Sequence, residues 1–147
     1  RGSRKRTMGA RTTGREAALQ MIFALEANGA SAERVINQFW RETPGDPEGR
    51  EYAERVVRGV AADLDKLDST IRKASTNWRI ERMGRVDRNV LRLGTWELAQ
   101  IDDVPRAVIL DEAVELAKRF GSEDSGSFVN GVLDRIATDL GRVDRDR

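Results

Sequence analysis

A chain of 147 residues, 39% apolar and 35% charged, has the material for one folded domain with a heavily charged surface. It contains no Cys and no His, which excludes a disulfide framework, thiol nucleophiles, imidazole general bases and a zinc site of the usual kind. No apolar run approaches the roughly 20 residues of a spanning helix, and no apolar stretch follows the basic N-terminus as in a secretory signal, so a cytoplasmic protein without membrane contact is expected.

The formal net charge is only +1, but it is unevenly spread. Residues 1–15 hold six cations (Arg1, Arg4, Lys5, Arg6, Arg11 and Arg15) and no acid, leaving 20 basic and 25 acidic side chains on the remaining 132 residues, a net of −5. Residues 1–13 read as a flexible basic arm, and such an arm on an acidic body can hold phosphates without the whole protein being basic. The plain alternative is a solvated tail; a start at Met8 would leave only Arg11 and Arg15 in the arm.

From Thr12, Thr13 and Gly14 onward the chain reads at helical period to about residue 140. Ala18, Ile22 and Leu25 mark one face of a first helix, ended by Asn28 and Gly29. Ser31 is a natural N-cap for a short helix carrying Val35, Ile36, Phe39 and Trp40. The turn-rich stretch from Thr43 to Gly49 is the clearest internal break. Next, Tyr52, Val56, Val60, Leu64, Leu67 and Ile71 recur three to four residues apart, an amphipathic helix broken at most once before residue 75. Residues 76–85 are irregular, with Trp78 and Ile80 as expected anchors.

A helix from Val86 to about Ile101 turns Val90, Leu91, Leu98 and Ile101 inward. Beyond Pro105, Ile109, Ala113, Leu116 and Phe120 repeat on one face until Gly121. A short polar link then leads to a last helix with Val129, Val132, Leu133, Ile136 and Leu140, and residues 141–147 form a charged, frayed tail. No alternating strand pattern competes. The expectation is an all-α bundle of six to seven helices within residues 14–140, which many unrelated proteins share.

Three strings are more specific than any period. They are Gly14 to Glu26 (GREAALQMIFALE), Val86 to Leu98 (VDRNVLRLGTWEL) closed by Asp103, Val104 and Pro105, and Asp111 to Asp134 (DEAVELAKRFGSEDSGSFVNGVLD). Their order and spacing resemble the NusB family over roughly residues 14–136. The resemblance implies an all-helical pair of small subdomains that binds boxA, a short single-stranded element of ribosomal RNA leaders. It does so jointly with NusE, a ribosomal small-subunit protein, and the complex joins elongating RNA polymerase to suppress premature termination. Family members are monomers or homodimers, and the sequence does not choose between them. Related domains are fused to an RNA cytosine methyltransferase, for which this chain has neither the length nor the cysteine. No enzyme activity and no cofactor are implied.

Binding single-stranded RNA needs phosphate neutralisation and flat surfaces for bases. By resemblance, Arg15 matches an arginine of the N-terminal motif and Arg11 falls in the basic arm. The two would share a helix face at a spacing of four. Thr12, Thr13 and Gly14 stand where the family's arm is often denser, and Arg4, Lys5 and Arg6 lie further out. Phe120, Asp124, Ser125 and Phe128 belong to the link between the last two helices, which in the family touches RNA; Phe120 also completes an apolar stripe, and Asp124 and Ser125 are equally good helix caps. The resemblance makes Glu81, Arg82 and Asp87 candidates for the NusE surface, against their reading as ordinary solvated charges. Trp78 and Trp96 are either partner anchors or core.

Two other readings follow from the residues. One is a protein-interaction bundle with an inert arm. The other is a carboxylate metal site from Glu16, Glu26, Glu112 and Glu115, which lack the Glu-x-x-His spacing of bundle di-metal proteins.

Overall fold

The computed structural model describes residues 2–44 and 46–143, those of 2–8 as backbone only. Seven α-helices and one 3-10 turn make up the regular structure, with no strand among the described residues. The chain divides into two compact units between Ala62 and Asp63.

The first unit holds α1 (Gly2–Asn28), α2 (Ala32–Glu42) and α3 (Pro47–Ala62). Gly29, at φ 63°, takes the left-handed conformation that ends α1 and donates its N–H to Leu25 O at 3.0 Å. The Ser31 hydroxyl caps α2 as its position suggests, accepting from Arg34 N at 3.3 Å. Pro47 opens α3, where a missing N–H costs nothing, and Asp46 Oδ1 accepts from Glu48 N at 3.2 Å. Leu19, Met21 and Ile22 of α1, Val35 and Ile36 of α2, and Tyr52, Val56, Val57 and Val60 of α3 are buried. Across α2 and α3, the Arg58 guanidinium donates to both Glu33 oxygens at 2.7 and 3.0 Å.

The second unit holds α4 (Leu64–Ala74), a 3-10 turn (Ile80–Arg82), α5 (Arg85–Gln100), α6 (Arg106–Phe120) and α7 (Ser125–Asp139). Leu67, Ile71, Ile80, Leu91, Leu93, Ile109, Leu116, Val129, Leu133 and Ile136 are among its buried side chains. Arg92 of α5 grips Asp68 of α4 with both prongs, at 2.8 and 2.9 Å, and a third nitrogen donates to Asn89 Oδ1 at 3.0 Å.

Four expectations need correction. The first helix passes through Thr12, Thr13 and Gly14 instead of starting there. Thr13 turns its hydroxyl back onto Gly9 O at 2.9 Å, and Gly14 is buried in a helix crossing. The one break allowed in the long amphipathic stretch falls at Asp63, where the units also divide, but Leu64 beside it is exposed instead of continuing the stripe. Ile80 anchors the irregular segment, but Trp78 is 54% exposed. Finally, the chain after α7 is pinned as far as described: Gly141, at φ 70°, donates to Thr138 O at 3.0 Å and Arg142 N to Ala137 O at 2.9 Å, a Schellman close. The Arg142 guanidinium then donates to Leu98 O at 2.8 Å and to Val104 O, while its own carbonyl accepts from Arg106 at 3.1 Å.

Candidate nucleic-acid interface

Arg11 and Arg15 are one helical turn apart on α1, and both face Tyr52 of α3. Their guanidinium carbons stand 4.9 and 5.4 Å from the ring centroid, within the range of cation–π attraction. A close crossing creates this meeting. A Cβ on Gly14 would stand 2.7 Å from Gly49 O, and one on Gly49 would stand 3.1 Å from Ala10 O. With no side chain at either crossing residue, α3 approaches until Tyr52, one turn beyond Gly49, reaches the α1 arginines.

The two arginines differ in exposure. Arg11 is half-buried, but Arg15 is only 3% exposed. A guanidinium so covered cannot offer its fork to a phosphate in solvent, so the expectation of direct contact at Arg15 is corrected. The helical spacing was read properly, but only the packing of α3 decides which residue of the pair is covered. Arg11 borders a hollow of about 270 Å³ shared with Ala10, Glu48, Glu51, Tyr52 and Arg55. The side chains of Arg4, Lys5 and Arg6 lie outside the described residues.

The link between α6 and α7 gathers the second group. A Cβ at Gly121 would meet Ser125 Oγ at 2.5 Å and Ala117 O at 2.7 Å, so only glycine leaves room for the chain to double back. Ser125 Oγ accepts from Ser122 N at 3.0 Å and lies 3.2 Å from the Ser122 hydroxyl. At 2% exposure it is a fastening of the link, which corrects its assignment to RNA contact. Asp124 occupies the cap position of α7 without a side-chain cap bond and is exposed. Phe120 and Phe128 are both half-buried, and the Arg119 guanidinium lies 5.7 Å from the Phe120 ring. Neither residue is fully buried in the core.

The partner candidates sit on the 3-10 turn and the start of α5. Glu81 and Arg82 are exposed, and Asp87 is half-buried in the first turn of α5. Glu81 pairs with Arg72 at 3.3 Å, and its carboxyl lies below the usual range through its own backbone N–H first, then Arg72 and Arg79. The tryptophans separate: Trp96 is buried in α5, whereas Trp78, in the segment before the 3-10 turn, is exposed. The meeting of Tyr52 with two arginines was not legible in the sequence, because in a stripe of buried residues nothing local marks the one that also faces them. Among the described residues no group of three or more acids, Glu16, Glu26, Glu112 and Glu115 included, is placed to hold a metal ion. No described helix is long and apolar enough to cross a membrane.

The geometry can be set beside known proteins. The transcription antitermination protein NusB of Sorangium cellulosum (strain So ce56) is 77% identical over 140 residues, which cover 95% of this chain and all of that one. Solved NusB from T. maritima superposes with a TM-score of 0.81 at 41% identity, covering 88% of this chain and 91% of its own. A solved structure of the antitermination factors NusB and NusE in complex with dsRNA superposes with a TM-score of 0.82 at 28% identity, covering 90% and 98%. Residues 12–138 match the model of the NusB family, and by that match and by these relatives the chain belongs to the NusB family.

Proposed function

We propose that this chain is a non-enzymatic, cytoplasmic transcription antitermination factor. It binds boxA-type single-stranded RNA of ribosomal RNA operons together with NusE, and the assembly acts on elongating RNA polymerase. Residues 1–13 serve as the phosphate-holding arm. Arg11 is its best-supported member, joined by Arg4, Lys5 and Arg6. Phe128 and Phe120 offer rings to bases, and Asp124 reads a base edge while holding off loose phosphate. Glu81, Arg82 and Asp87 meet NusE. The observation that carries this reading is the concentration of cations at the leading end of an otherwise acidic chain, with Arg11 held over Tyr52 at its edge. A relative solved with both NusE and RNA supports it.

The test is affinity for a boxA RNA, a scrambled strand and a duplex, each with and without NusE. The expected order places boxA with NusE first. Three or four phosphate contacts to a single strand predict a log–log salt slope of roughly −2 to −3. A preference for duplex would overturn the single-strand reading, and no RNA affinity even with NusE would leave a protein-interaction bundle.

A further inference from the structure

Tyr52 lies on the second helix of a tight crossing, is buried, and has two guanidiniums against one ring. Arg15 is the covered member of the pair. Arg11 is half-buried and borders the hollow whose rim also carries Glu48, Glu51 and Arg55. An unheld Arg11 would lose the rotamer freedom of its long side chain each time it met a phosphate. A ring that already holds the guanidinium reduces that loss, because the donor is fixed before the ligand arrives.

We propose that Tyr52 is a positioning residue for RNA: its ring holds Arg11 at the edge of the α1–α3 crossing, so that Arg11 meets a backbone phosphate, while Arg15 stays inside as support. This rests on the RNA-binding reading above. The glycines at 14 and 49 set the distance at which the ring can act.

The test is a double-mutant cycle on the full chain with boxA RNA as the probe, read as affinity and salt slope, with a melting curve for every variant. Tyr52→Phe keeps the ring and should retain more affinity than Tyr52→Leu. Tyr52→Leu should bind about threefold to tenfold more weakly, the range of one cation–π contact. Its salt slope should be shallower by about 0.7, one phosphate contact to a single strand. Arg11→Ala should show the same two changes, and the double variant should be no worse than Arg11→Ala alone. Losses that multiply in the double variant would overturn the positioning role, as would a Tyr52→Leu chain that binds and responds to salt unchanged.

Arg11→Lys leaves the buried ring untouched and keeps the charge, but loses the planar stack, so it decides the matter if Tyr52→Leu does not fold. A several-fold loss at unchanged melting temperature supports the role, and unaltered affinity overturns it. If the unaltered chain binds no RNA, the functional reading itself fails. If it binds and the cycle is additive, only the role of Tyr52 fails.

Discussion

In α1–α3, Arg11 and Arg15 lie over Tyr52, and Arg50 lies 4.8 Å over Trp40. In α4–α7, Arg92, Arg106 and Arg142 instead close on carboxylate and carbonyl oxygens. A guanidinium on a ring is held by its face, which suits a charge meant to meet something else. One that grips several oxygens from different elements spends its directional donors on the fold. The contrast is one of emphasis, since Arg58 grips Glu33 in the first unit and Arg119 lies over Phe120 in the second; it is the half-buried Arg11 on its ring, against the oxygen-bound Arg92 and Arg142, that separates a cation placed for a ligand from one used to cross-link the fold.

The largest expected effect breaks the second half of this comparison. Asp68 and Arg92 are only 12% and 11% exposed, so Arg92→Leu leaves a mostly buried carboxylate without its main partner. It should cost about 3 kcal/mol in urea unfolding. Replacing both partners with leucine should recover much of that loss, and an equally damaged double variant would show that the pair does more than neutralise itself. In the first half, Gly14→Val drives a side chain into Gly49 O and should cost about 1–3 kcal/mol. It should also weaken RNA binding as α3 is pushed away from Arg11; unchanged stability would mean the crossing tolerates more than its spacing suggests.

Arg142→Ala removes the donor to Leu98 O and Val104 O and should cost about 1–2 kcal/mol, with faster hydrogen exchange confined to the α5–α6 loop and the end of α7. Protection unchanged there would make Arg142 incidental. The smallest effect is expected at Glu33, where the Arg58 hydrogen bond holds the carboxyl below its usual range. The stabilisation is present above the ordinary carboxylate pKa and is lost as pH falls through the lowered one. Melting curves of Glu33→Gln and the unaltered chain should therefore differ slightly at neutral pH and converge in acid. Divergence in acid would reverse the assignment.

Much of the fold is legible in the sequence, because helices in a small bundle must repeat their apolar residues on one face. Ser31 as a cap, Gly29 and Gly121 as stops, and the stripes of Val129 to Ile136 and Val56 to Val60 all follow from local rules. The failures are instructive in the same terms. Thr12, Thr13 and Gly14 look like a helix start because threonine and glycine are poor helix formers. The structure uses Gly14 for closeness instead, a purpose visible only once Gly49 lies opposite. Asp63 breaks a stripe whose period runs on through it, so Leu64 was counted inward and is not. Trp78 and Trp96 are the same residue type, one in a polar irregular segment and one in an apolar helix, and burial separates them.

Composition and motif by themselves determined the helical class, the family, the lack of thiol and imidazole chemistry, and the gathering of cations at the leading end. These follow from residue type and spacing along one chain. Tertiary structure decided which members of those patterns face solvent: Arg11 and not Arg15, Asp124 and not Ser125, Trp78 and not Trp96. It also brought Tyr52 under the arginines. The reason is geometric: a helical repeat says which residues share a face, but what covers that face comes from a distant part of the chain, and its distance here is set by two glycines that carry no chemistry of their own.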